Sequence, residues 1–415
     1  MSNVRYAAGE RIVWDISTSG MPCITYPKRG FGQKMAAIVV PYGANGLLWR
    51  QKGAVRAEQF PKGIAHFIEH KLFAQSWGDA LHRFAKQGAV ANAFTDGERT
   101  VYYFTCREEF DKNLKLLLDF VQHPYFTKEN VEKEKGIITS EINLYDNRAD
   151  WVGYYQMLDM LYTNHCVKYP IAGTADSVQY TTAEDLQKVY DACYLPQEFT
   201  LVCVGDVQPF QVLQAAQSVK RKEKKGTVVF CHEPEAISEK YREYHMNLRQ
   251  PVFQIGFKLP ERKKNLAEKM AMDFLLDLWA GESSAFFAQA YQKEYLDEPL
   301  GRGYFCGEGY AFCAFSGSGS KAEATAELLL EAWKKLQTEG ISKEDFQRLQ
   351  KKHIGQILRK FQSVQALGMA QIDLASYGAD VGEWFRLSKE LHKQDVEKLL
   401  QNTIQEDKMV LSIVR

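Results

Sequence analysis

Two stretches of this chain, 215 residues apart, follow one plan. In the first, NLKLLLDFVQHPYFTKENVEKEKGIITSEI, a leucine-striped helix and a short break lead into a second helix opening at Thr127. In the second, LLLEAWKKLQTEGISKEDFQRLQKKHIGQIL, the order is the same, with a capping pattern from Ser342 to Asp345. The offset pairs Leu114 with Leu329, Leu118 with Trp333, Val121 with Leu336, Phe126 with Ile341 and Thr127 with Ser342. Further on, TTAEDLQKVYDACYLPQEFTLVCVGD is echoed by LHKQDVEKLLQNTIQEDKMVLSIVR at an offset of 210, which pairs Asp185 with Asp395 and Leu201 with Leu411. Each of these ends in a β-branched, apolar strand after a charged helix. Earlier in each half, KMAAIVVPYG and PVFQIGFKLP read as strands that precede a long helix. A chain with this repeat is expected to fold as two copies of one α+β unit.

Length agrees, since 415 residues exceed one ordinary core. The expected division is residues 1–221, a linker over 222–240, and residues 241–415. The linker region opens with a basic cluster, Lys220 to Lys225, which is short, contains Glu223 and has no interleaved aromatics. It reads as a solvated helix end rather than a nucleic-acid patch. The whole chain carries 52 basic and 52 acidic residues, so no net charge draws it to nucleic acid or an anionic membrane. The first residues, MSNVRYAAGERIVWD, lack an apolar leader, and no apolar run approaches the ~18 residues of a membrane span. None of the eight cysteines forms a C-x-x-C pair, and they read as free thiols. The expectation is a cytoplasmic protein with neither nucleic-acid nor membrane partners.

The chemistry concentrates in GIAHFIEHKLF, residues 63–73. On a helix, His66 and His70 stand one turn apart on one face, and Glu69 shares that face. Two imidazoles so placed can converge on one small cation, with the carboxylate beside it. This is the H-x-x-E-H order of inverzincins. By residue usage, the pattern arises by chance in about one chain in a hundred of this length, and three such groups would be costly to bury without a balancing charge. A third ligand must come from elsewhere. Glu134 and Glu141, seven apart on a helix, are the candidates, and their counterparts in the second half are Leu349 and Gln356. The second-half helix that should match HFIEH reads EKMAMDFLLDLWAG and has no histidine. All candidate ligands therefore lie in one half.

These residues, with GAVANAFTDGERTVYYF, LLDFVQHPYFTKENVEKEKGIITSEINLYDN and YPIAGTADSV, resemble the pitrilysin/insulinase family of zinc peptidases. The resemblance covers most of residues 60–205 and points to the two-domain branch that includes the mitochondrial processing peptidase, nearest its bacterial YmfH-like group. It implies two homologous α/β-sandwich halves of the LuxS/metallopeptidase-like kind enclosing a chamber. It further implies one Zn2+ per chain held by His66, His70 and Glu141, with Glu69 as general base and Glu134 supporting the site. Ala91, Asn92, Ala93 and Phe94, within ANAFT, match the family's edge strand, where an extended peptide substrate adds as a further strand.

One departure qualifies the resemblance. The family's substrate-side Arg and Tyr, seven apart, should fall at a helix end in the second half. In AQAYQKEYLDEPLGRGYFCGEGY the one arginine is Arg302, with Tyr304 and Tyr310 two and eight residues on. The pair is missing, and a homologous subunit, in a heterodimer or homodimer, is expected to complete the site. The resulting expectation is a zinc endopeptidase for short or unfolded peptides. The alternative is a non-catalytic accessory subunit of the same family in a protein-modification or peptide-maturation pathway.

Overall fold

The run KMAAIVV has no polar face, and it forms a strand, Lys34–Val40, in which every residue after Lys34 is buried. A strand of this kind needs cover on both sides. In the computed structural model, which describes residues 3–415, that cover is assembled within each of two units. Unit 1 takes the chain up to Ile142, Pro170–Val229 and Gln356–Arg386; unit 2 takes Asn143–Tyr169, Phe230–Gly355 and Leu387–Arg415.

Unit 1 contains a seven-stranded sheet. Its strands are β1 (Asn3–Ala7), β2 (Glu10–Ile16), β3 (Pro22–Pro27), β4 (Lys34–Val40), β5 (Ala89–Thr95), β6 (Thr100–Cys106) and β7 (Thr200–Gly205). They run in the order β1-β2-β3-β7-β4-β6-β5, and only β3 and β7 pair in parallel. On one face Ala36, Ile38 and Val40 join a core with Phe67, Ile68, Leu117, Val121 and Leu186 from helices Ile64–Phe73, Phe110–Gln122 and Ala183–Cys193. On the other face lies helix Val364–Ala375, which comes from the second half of the chain. Its Gly368 comes so close that a Cβ there would stand 2.4 Å from the Met35 sulfur. The Tyr26 hydroxyl donates to Gln371, and Arg99 donates to Asp373 at 2.6 Å.

Unit 2 repeats the pattern with five strands. These are β8 (Tyr241–Tyr244), β9 (Val252–Lys258), β10 (Gly301–Gly307), β11 (Tyr310–Ser318) and β12 (Met409–Val414), in the order β8-β12-β9-β11-β10. Strand for strand this is β3-β7-β4-β6-β5, down to a single parallel pair, β8 with β12. Phe253, Ile255 and Phe257 pack with Trp279, Leu329 and Leu400 from helices Leu266–Ala280, Ala322–Glu339 and Lys393–Asn402. The opposite face is covered by helix Ala149–Leu161, from the first half of the chain. Each unit thus borrows one helix from the other half. Both borrowed helices carry a glycine against their sheet, Gly153 and Gly368, again 215 residues apart.

The two α+β units expected from the repeat are present, and so is the cap expected at Ser342, with a matching one at Thr127. Thr127 and Asn130 bond reciprocally at 3.1 and 3.2 Å, and Ser342 and Asp345 do so at 2.8 and 3.0 Å. The helices that follow are Lys128–Asp146 and Lys343–Lys360. Helix Ile64–Phe73 superposes in pattern on Leu266–Ala280 at an offset of 207, with Phe67 and Phe274, Ile68 and Leu275, and Leu72 and Trp279 all buried. No helix among the described residues is long and apolar enough to cross a membrane.

Candidate metal centre

Helix Ile64–Phe73 begins at Gly63, which adopts φ +80°. A Cβ at that position would fall 2.3 Å from the Ala172 carbonyl oxygen, so glycine is what lets the IAGT segment close over the helix start. The helix ends where Ala74 turns extended. Almost every residue between is buried, as expected for a helix that is apolar nearly all round. The polar exceptions must therefore find partners inside the protein.

They do so on two neighbouring elements. Helix Lys128–Asp146 presents Glu134 and Glu141. The Nδ1–H of His70 donates to Glu134 Oε1 at 3.1 Å, and Lys71 Nζ donates to Glu134 Oε2 at 3.2 Å. Glu141 Oε2 lies 3.4 Å from His70 Nε2 and 3.8 Å from His66 Nε2. The two imidazole rings are 4.6 Å apart between centroids. One donor atom from each of His66, His70 and Glu141 falls within 4.8 Å of the others. From β5, the Thr95 hydroxyl donates to Glu69 Oε2 at 2.6 Å.

Electrostatics sorts these groups. Burial, with His70 alongside, lowers the pKa of His66 to about 4, so its ring is neutral and can offer a lone pair. Burial also works against charge on His70, but the hydrogen bond to Glu134 and the carboxylates of Glu69, Glu134 and Glu141 outweigh it and raise its pKa. Burial raises the pKa of Glu69, and the Thr95 bond only partly opposes this. For Glu134, burial is overcome by His70 and Lys71, which hold it below the usual glutamate value. The Glu134 bond fixes His70 with its Nε2 towards Glu141, the orienting contact that metal-binding histidines commonly make. His66 Nδ1, by contrast, is buried without a hydrogen-bond partner among the described residues. Two imidazole nitrogens and one carboxylate, converging within 4.8 Å, fit the donor set of a catalytic zinc site.

The remaining expected residues lie on β5. It is the edge strand, pairing among the described residues only with β6, with Asn92 opposite Tyr103. Ala91 and Ala93 pack against the core that includes the histidine helix, while Asn92 is exposed and accepts from the Ala93 N–H at 2.8 Å. Phe94 is half-buried beside Arg99 and Tyr103. Thr95 and Lys71 were not anticipated. A lysine inside an apolar helix was a readable signal for the second, since a buried ammonium requires a counter-charge; Thr95 had none. In unit 2, Arg302 is committed to Asp277, with its Nε 3.0 Å from Oδ1. Tyr304 and Tyr310 are both buried, and the Tyr304 hydroxyl donates to Glu268 at 3.3 Å.

Comparison with known proteins places this geometry. The family model described as insulinase (peptidase family M16) matches residues 45–175, and that of the peptidase M16 inactive domain matches residues 180–352. The uncharacterized zinc protease YmfH of Bacillus subtilis (strain 168) is 32% identical over 97% of this chain and 96% of its own. The chain belongs to the M16 peptidase family. An M16-like chain from Alicyclobacillus acidocaldarius has a crystal structure with a TM-score of 0.91 at 27% identity, covering 100% of this chain and 98% of that one. The fold is shared with a protease from Helicobacter pylori, at a TM-score of 0.85 and 18% identity over 99% of this chain and 100% of that one. M16 membership and the His66/His70/Glu141 cluster together make this chain a zinc-dependent peptidase. Among the described residues that cluster is the one group of its kind, and it lies in the part of the chain matched by the M16 model without the inactive label.

Proposed function

We propose that the chain hydrolyses short or unfolded peptides, with His66, His70 and Glu141 holding one zinc ion and Glu69 acting as general base. The observation that carries this reading is the convergence of three donor atoms within 4.8 Å, with the buried Glu69 carboxylate on the helix of the two histidines. Bound zinc supplies a Lewis acid and lowers the pKa of water towards ~7. Glu69 is anchored at Oε2 by Thr95, which leaves its other oxygen to take a proton from the attacking water and pass it to the departing amine. Its raised pKa makes it a stronger base than an exposed glutamate would be. The free edge of β5 offers backbone groups to a peptide lying extended, and Ala91 and Ala93 take up little room beside it. Most of the backbone of a folded protein is already paired, which favours unfolded substrates.

The commitment of Arg302 to Asp277 leaves no arginine–tyrosine pair free for substrate in this region. On that ground the chain is read as the zinc subunit of a dimer whose homologous partner supplies the pair. Eight free cysteines, six of them buried, fit a reducing compartment, and the cytoplasm is the proposed location.

Metal analysis paired with cleavage of an unstructured peptide library tests the reading. Wild-type protein should carry zinc. Glu69→Gln should keep the metal and lose about 10²–10⁴-fold in turnover, the usual span of a general base. A Glu69→Gln enzyme at full rate would overturn the assignment of the base. Full activity of the single chain, with no gain from a homologous subunit, would overturn the dimer.

A further inference from the structure

Lys71 lies deeper than any other charged group near the site. It is 2% exposed, deeper than His66 or Glu69, and the contact found for its ammonium is Glu134 Oε2 at 3.2 Å. A lysine has a long enough stem to carry its charge to water, and one held inside is costly unless paired. The fold gives no reason for bearing that cost, because the molecule contains the same helix pair without it. At the offset of 207 that aligns the two buried helices, Lys71 corresponds to Leu278; at the offset of 215 that aligns their neighbours, Glu134 corresponds to Leu349. Leu349 is 1% exposed, and Leu278 packs against the core of unit 2. Where the histidines are absent, both members of the pair are leucine.

We propose that Lys71 is a positioning residue of the metal centre, holding the Glu134 carboxylate at Oε2 so that Oε1 fixes His70 for zinc. The proposal rests on the zinc reading above. With both oxygens engaged, the carboxylate has one orientation, and the His70 ring has one tautomer and one tilt. Without Lys71, Oε2 is left in a largely buried setting with no counter-charge. The carboxylate is then free to turn, and His70 loses its fixed acceptor. Lys71 touches neither zinc nor substrate and acts only through Glu134.

The test uses the full zinc-loaded chain and measures metal release to excess chromogenic chelator. Lys71→Leu should release zinc about 10–100-fold faster than wild type, the usual effect of losing an orienting partner, and Glu134→Gln should do the same. Lys71→Arg, which keeps a donor to Oε2, should recover most of the loss. The double variant Lys71→Leu/Glu134→Gln should release zinc no faster than Glu134→Gln alone, because Lys71 has nothing left to hold. Wild-type release from Lys71→Leu, or a further tenfold loss in the double variant, would overturn the proposal. If Lys71→Leu does not fold, the double variant against Glu134→Gln still decides. A wild-type chain that takes up no zinc instead removes the underlying zinc reading, and is distinguishable for that reason.

Discussion

Helices Ile64–Phe73 and Leu266–Ala280 bury the same apolar positions and differ where they carry charge. At the offset of 207, His66 and His70 of the first correspond to Asp273 and Asp277 of the second, and Glu69 corresponds to Leu276. In unit 1 two imidazoles meet Glu141, an arrangement that wants an added cation. In unit 2 the anion is on the helix and its partners come from the protein: Asp277 takes Arg302, Lys352 at 2.8 Å and His353 at 3.0 Å. Burial alone would raise the Asp277 pKa, but its bonds to His353, Lys352 and Arg302 press it far below the ordinary aspartate value. One scaffold therefore solves the same problem, a charge pocket beneath a sheet, once with donors for a metal and once with its own side chains. The Lys71–Glu134 pair follows the metal and is replaced by leucines where the metal donors are absent.

Breaking the unit 1 arrangement should give the largest effect. His70→Ala or Glu141→Ala should lose zinc and activity together, by several orders of magnitude in affinity, with stoichiometric zinc in His70→Ala showing the ligand assignment wrong. Breaking the unit 2 arrangement should spare the metal and cost stability instead. Asp277→Asn leaves Arg302, Lys352 and His353 without their carboxylate and should destabilise the chain by about 2–4 kcal/mol in urea unfolding, near the range for one partner removed from a buried pair. Zinc content should not change.

That contrast sharpens with pH. Because the folded-state pKa of Asp277 is depressed, its contribution is fully present above the ordinary aspartate value of ~4 and is lost as pH falls below it towards the depressed folded value. The acid limb of the stability curve below about pH 4 should flatten in Asp277→Asn, and an unchanged limb would mean the cluster contributes little. The smallest effect separates the borrowed helices. Gly153→Ala meets its nearest neighbours at 3.4 Å and should be neutral or slightly stabilising through helix propensity, within ~1 kcal/mol. Gly368→Ala drives a methyl to 2.4 Å from the buried Met35 sulfur and should cost about 1–3 kcal/mol by thermal melting.

Much of this was legible beforehand, for identifiable reasons. Helical spacing puts His66, Glu69 and His70 on one face whatever surrounds them, and the repeat singled out Glu134 and Glu141 because their counterparts are Leu349 and Gln356. The helix start at Thr127 and the cap at Ser342 could be read because capping is local chemistry. Thr95 could not, since its bond to Glu69 depends on how a strand end meets a helix 26 residues away in sequence. The pairing of Asp277 with His353 and Lys352 spans some 75 residues and was equally hidden, although Asp273 and Asp277 repeat the four-residue spacing of the histidines. The borrowing of helices 149–161 and 364–375 left no mark either, because an apolar helix face does not specify which sheet it will cover.

That borrowing has a consequence for how the gene can be cut. Expressed alone, a fragment ending near residue 229 would expose Met35 and its neighbours where helix 364–375 belongs, and would carry helix 149–161 with no sheet beneath it. The complementary fragment would have the reverse defects. The two pieces are poor candidates for separate proteins and good ones for split-protein complementation, since each holds the helix that covers the other's sheet.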